Sequence, residues 1–348
     1  MAISVGGGRR YTPSPFRAFA AGETEPVGAM DGGTRNVGCR IDVSSLTTVS
    51  GDLTVSPGTT YEGLDIYGRV TGTGDASTVI RDCIIRGQSH TTSQSWSARG
   101  GGSGTFGGAL FEWCTFDQRG RESAFANTFE GGGFTARYCD IMRTVDGAEI
   151  NAVGGAVWQM CRFSHGVYFS WWNDGTGAVR TASFTDYGGT YHASPFPAQS
   201  SGDVHSDGIQ AMGWTGNVIQ GCSIGAARPY TSAQTTHIDP TVAADYAIMA
   251  AMDSDAGFAN AAVMVNGNAA NPHGLLIELN WLAGGTATVN LAPSGSDLLA
   301  GVTVRNNIFD RPLAGVATYS ILNGSGSLAT ISGNTYRDDG TPVTVTNL

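Results

Sequence analysis

Three side chains in the stretch DVHSDGIQAMGWTGNVIQGC, residues 203–222, have the types and spacing for acid–base chemistry: Asp203, His205 and Asp207. In an extended strand alternate residues share a face, so all three would line one side. Gln210 lies just beyond. An upstream segment, DGAEINAVGGAVWQMC, aligns with DGIQAMGWTGNVIQGC without a gap. It places Asp146 where Asp207 stands and Glu149 where Gln210 stands. Between the two lies HGVYFSWWNDG, which offers Tyr168, Trp171 and Trp172.

Three chemistries fit this set. Two carboxylates on stacked strands would be about 5 or about 10 Å apart, which brackets the separations used in retaining and inverting glycoside hydrolysis. His205 could instead remove a proton beside a uronate carboxylate, as in a lyase, with an Arg or Ca²⁺ neutralising that carboxylate. Alternatively the face binds sugar without turnover. Tyr168, Trp171 or Trp172 would stack on rings, and Gln210, Asp146 and Glu149 would meet hydroxyls. The plainer reading is that Asp-Gly marks turns and that His205 is a hydrogen-bonded surface residue. No resident cofactor or metal is expected; Ca²⁺ alone is compatible with the lyase chemistry.

The elements that must position these residues show as a repeat of cysteines. Cys83, Cys114, Cys139, Cys161 and Cys222 each sit among alternating residues, and Asn280, Asn307 and Asn334 take over the same frame. The spacings are 31, 25, 22, 61, 58, 27 and 27 residues. A period of 20–30 residues built from short strands is the signature of a β-solenoid. Each long gap has room for two coils or for one coil with an insertion, and Ala182 is a plausible missing anchor. Cysteines stacked on neighbouring strands are too far apart for disulfides, so buried free thiols are expected. The asparagines are expected to form a hydrogen-bonded ladder.

Composition agrees. The 348 residues include 51 Gly and 12 Pro, only 14% are charged, and the net charge is −10. Such a chain suits short strands and turns. Its acidity argues against nucleic acid as a partner, and no apolar run approaches the roughly 18 residues of a membrane helix.

The coil frame, the Asn positions and the HSDGIQ…NVIQGCSI segment resemble right-handed parallel β-helix proteins of the pectate-lyase-like superfamily, most of all bacteriophage tailspike and minor tail proteins. The resemblance spans residues 41–345, without the complete catalytic signature of any one enzyme family. It implies an all-β, right-handed parallel β-helix over residues 41–348. Residues 1–40 would form a short N-terminal arm, and one loop or helical insertion would fall at about 228–260. It further implies a virion or extracellular protein, a reading with which an N-terminus lacking a secretory signal pattern agrees. Its surface would meet a host polysaccharide, its arm would meet other tail proteins, and it would be a homotrimer. A polysaccharide lyase or hydrolase, and a purely structural decoration or baseplate protein, are the alternatives.

Overall fold

The structure, a computed structural model, describes residues 37–86, 98–99, 105–117, 127–142, 146–151, 154–164, 167–169, 183–186, 189–192, 207–225, 228–230, 261–311 and 319–348. Within them the chain is a parallel β-helix. No α-helix occurs among the described residues, only one 3₁₀ turn, Val43–Ser45. Three long parallel sheets hold ten, ten and nine described strands. Sheet I runs from Thr47–Ser50 to Thr335–Tyr336, sheet II from Leu53–Val55 to Val345–Asn347, and sheet III from Thr60–Glu62 to Thr330–Ser332. Each coil visits the three in that order. Inward side chains from all three merge into one continuous apolar core.

The cysteine frame marks the corner between sheets III and I. The residue before each anchor is left-handed. Asp82, Trp113, Tyr138, Met160, Leu279 and Asn306 have φ between +50° and +59°, and Gly221 and Gly333 have +63° and +65°. Left-handed backbone costs a non-glycine residue roughly 1–2 kcal/mol, and the anchor helps to hold it. The Sγ of Cys114, Cys139 and Cys161 lies 3.4–3.6 Å from the carbonyls of Ile80, Phe111 and Ala136, each one coil back. The Asn anchors repeat this contact with an amide. The Nδ2 groups of Asn280, Asn307 and Asn334 donate to Ile219, Ile277 and Val304 at 2.9–3.0 Å. Their Oδ1 atoms accept the backbone N–H of the preceding anchor, Asn307 Oδ1 from Asn280 and Asn334 Oδ1 from Asn307, at 2.9 and 3.0 Å. All six cysteines are free and buried, as the spacing predicts.

Strand register settles the long gaps. The strand Arg162–Ser164 pairs directly with Ser223–Gly225, which pairs directly with Trp281–Ala283. Each gap is therefore one coil, and no coil remains for Ala182, which itself lies outside the described residues. Two long excursions result, one between Ser164 and Asp207 and one between Gly225 and Ala261, where the sequence pattern suggests a single insertion. Both leave the corner between sheets I and II. The helix-compatible segment after Pro240 lies outside the described residues.

Residues 37–41 run along the III–I corner at about one residue per coil. Gly38 N donates to Tyr138 O at 2.7 Å and Cys39 N to Thr115 Oγ1 at 2.9 Å. Arg40 grips Asp82 with two nitrogens at 2.7 and 2.6 Å and lies 4.7 Å over the Trp113 ring, which stacks on Tyr138. This end of the N-terminal segment thus lies on the later coils rather than on the first one. At the far end Val345–Asn347 is the last strand, paired with Tyr319–Asn323. There Pro342 bridges antiparallel to Thr335, placing a residue without an N–H on the open edge.

Candidate functional site

The gap-free alignment of the two Asp-Gly segments is also their strand register: Ala148 faces Ile209, Glu149 faces Gln210 and Gln159 faces Gln220. The Asp-Gly pairs open the sheet II strands Asp146–Ile150 and Asp207–Ala211, so they are not turns. Their glycines serve close approach. A Cβ on Gly208 would lie 2.5 Å from both Ala262 O and Ile224 Cγ2, and one on Gly147 would collide with Gly208 O.

This placement divides the sequence candidates. Asp207 is 2% exposed and stacks on Ala261. Gln210 and Glu149 are half-buried neighbours in the next outward row, which continues through Met264 and Asn290. Asn151 Nδ2 donates to Glu149 Oε1 at 3.0 Å. Asp146 occupies the predicted rung position, but its side chain lies outside the described set, as do Asp203, His205, Trp171 and Trp172 altogether. Tyr168 belongs to the strand Val167–Phe169, which pairs with Arg228–Tyr230, opposite Pro229. The two excursions are thus joined to each other through this pair.

A buried acid–histidine pair lies one corner further on, where NGNAANPHG, residues 266–274, has the composition of a loop. His273 Nδ1 is 2.8 Å from Asp297 Oδ2, and Gly213 N donates to His273 Nε2 at 2.8 Å. Nε2 also lies 3.1 Å from Ala211 O, and Nδ1–H faces the carboxylate. Burial alone would raise the Asp297 carboxyl. The N–H groups of Asn268, His273 and Leu299 outweigh it and hold the group below its ordinary value. The His273 side chain is fully buried with both nitrogens engaged, so the pair ties the II–III corners of successive coils together. The separation of 24 residues between the partners hides it from sequence reading.

The outside of sheet III is partly open along its length among the described residues. The outer row of sheet I, by contrast, is buried through Thr115, Asp140, Arg162 and Ser223. On sheet III one outward row reads, rung by rung, Glu62, Arg81, Glu112, Arg137, Gln159, Gln220, Glu278, Arg305 and Ser332. Neighbours are linked: Arg81 to Glu62 at 2.8 Å, Gln159 to Gln220 at 3.0 Å, Gln220 to Glu278 at 2.7 Å and Arg305 to Glu278 at 2.8 Å. Beside it runs a second row of aliphatic and threonine side chains, from Thr60 and Val79 to Leu276 and Thr303.

Among the described residues no group of three or more His, Cys, Asp or Glu side chains is arranged to hold a metal ion, and no helix is long and apolar enough to cross a membrane. No protein-family model, no curated protein and no solved structure matches the chain.

Proposed function

We propose that this β-helix is a glycan-recognition protein of the virion kind, a tail spike or minor tail component. It would present the I–II corner of its central coils to a host surface polysaccharide. The observation that carries the reading is the position of the two long excursions. They leave the same corner on consecutive coils, their strands Val167–Phe169 and Arg228–Tyr230 pair with each other, and the first leads into the strand that carries Gln210. Long connections on a rigid scaffold are where binding residues concentrate, and neighbouring amide and carboxylate side chains suit sugar hydroxyls. The resemblance to tailspike and minor tail proteins supports the same reading, with residues 1–40 as the attachment segment to other tail proteins.

The test is binding of the whole protein to immobilised host cell-wall and capsular polysaccharides. Gln210→Ala and Glu149→Ala are each expected to weaken retention about tenfold, the worth of one hydrogen bond to a charged or well-placed group. Retention unchanged in both variants would exclude this face. Release of reducing ends or of unsaturated uronate by the wild type, abolished in Asp207→Asn or His205→Ala, would replace binding with catalysis.

A further inference from the structure

We propose that the outer face of sheet III is a two-fold contact between two antiparallel copies of this chain. The contact follows from the order of the side chains, is independent of the glycan reading, and stands in place of the homotrimer that the resemblance implies. If a dyad runs along the strand direction, each outward row of one copy meets the same row of the other, and the solenoid axes oppose. Numbering the rungs from Thr60–Glu62, a dyad between rungs four and five sets rung one against rung eight and rung two against rung seven.

Every polar pair then matches. Glu62 meets the second copy's Arg305, and Arg81 meets Glu278. Glu112 meets Gln220, and Arg137 meets Gln159. No like charges face each other. The neighbouring row matches in three of its four pairs. Val79 meets Leu276, Leu110 meets Val218, and Thr60 meets Thr303 at the ends, while Thr135 meets Val157 beside the dyad; the next register has three such mixed pairs.

Other arrangements fail on the same residues. A dyad along the solenoid axis sets each rung against itself with its strand reversed: over the polar row it puts Arg81 on Arg81 and Glu112 on Glu112, and between the rows it puts the charged side chains on the aliphatic ones, Arg81 on Val79. An antiparallel dyad through a rung instead of between two rungs also pairs like charges. A dyad one rung further, between Gln159 and Gln220, keeps the charges matched but sets Leu110 on Thr303 and Leu276 on Thr135. The aliphatic row therefore selects the first register. The arginines stand higher than their acids, with Arg81, Arg137 and Arg305 side chains 33, 41 and 47% exposed against 17, 25 and 11% for Glu62, Glu112 and Glu278. Each rises above the acid that it neutralises at home; across a sheet-to-sheet gap of about 10 Å, Arg81 and Arg305 come within reach of a second acid and Arg137 within reach of the Gln159 amide. Such an isologous contact doubles the effect of every substitution in it.

The test has two parts. Sedimentation of the full chain over a range of concentrations is expected to show a monomer–dimer equilibrium that weakens with salt. Arg81→Glu, which puts Glu against the second copy's Glu278 twice per dimer, should raise its dissociation constant at least tenfold. The register is read by crosslinking with a short bismaleimide, the native thiols being buried. Leu110 and Val218 lie three coils apart in one chain, about 14 Å, and face each other only between copies. L110C/V218C should give a covalent dimer, while L110C alone, V218C alone and L110C/T303C should not. A monomer at all concentrations, a trimer, crosslinking of either single variant, or crosslinking of L110C/T303C instead would each overturn the proposal. Circular dichroism of every variant establishes that it is folded before its result counts.

Discussion

Asn307 is fully buried, yet it makes more hydrogen bonds than its size suggests. Its Oδ1 accepts from both the backbone and the side chain of Asn280, and its Nδ2 donates to Ile277 O and to Asn334 Oδ1. Replacing it with Ala strands a buried N–H, a carbonyl and two amides at once. At roughly 1–3 kcal/mol for each unsatisfied group, Asn307→Ala is expected to lose about 3 kcal/mol or more in urea denaturation. Asn307→Cys should lose less, because a thiol at this position reaches the same carbonyl in earlier coils. The thiols have their own signature. Burial pushes those of Cys83, Cys114, Cys139 and Cys161 well above the ordinary value. A chromogenic disulfide reagent at pH 8 should therefore find none of the six until the protein is unfolded. The anchor positions were legible in the sequence because their side chains repeat in one frame. The burial of Asp207 was not legible, since alternation alone assigns it to a row without saying what covers that row.

At the scale of the strand, the glycines of the two Asp-Gly pairs are set by their neighbours. Gly208→Ala would drive a Cβ into Ala262 O, a backbone atom that cannot rotate away, and into Ile224. The expected cost is about 1–3 kcal/mol, seen as a lower thermal midpoint with unchanged β-sheet content. The corner tied by His273 and Asp297 adds a pH dependence. The carboxyl of Asp297 is held below its ordinary value of 3.8 in the fold. Its stabilisation is therefore complete above that value and is lost as pH falls through the lower, folded one. Asp297→Asn should be less stable than wild type at neutral pH, and the two stability curves should converge as pH is lowered below the ordinary value of 3.8. None of this corner shows in the sequence, because its partners come from three coils and no local pattern joins Gly213, His273 and Asp297. The Asn ladder does show, because a constant spacing of 27 residues carries it.

Among the described strands, each coil of the three long sheets pairs with the coils above and below it. Stability in such a stack is a sum of neighbour terms, so either end can fray one coil at a time. The repeating coil was readable from the anchors; the number of coils was not, because each long gap has room for one coil or two until the register is known. The pairing rule of the sheet III face was not, because rungs separated by 19 to 61 residues of chain line up only once the register is known. The segment from Gly38 to Arg40 breaks the neighbour rule. It reaches Tyr138, Thr115 and Asp82, which are 100, 76 and 42 residues away and belong to different coils. Under pulling force or native-state hydrogen exchange, the coils beneath it should therefore open as one cooperative block, while the coils beyond Tyr138 unzip singly. Arg40→Ala, which releases the Asp82 grip, should turn that block back into a row of independent steps.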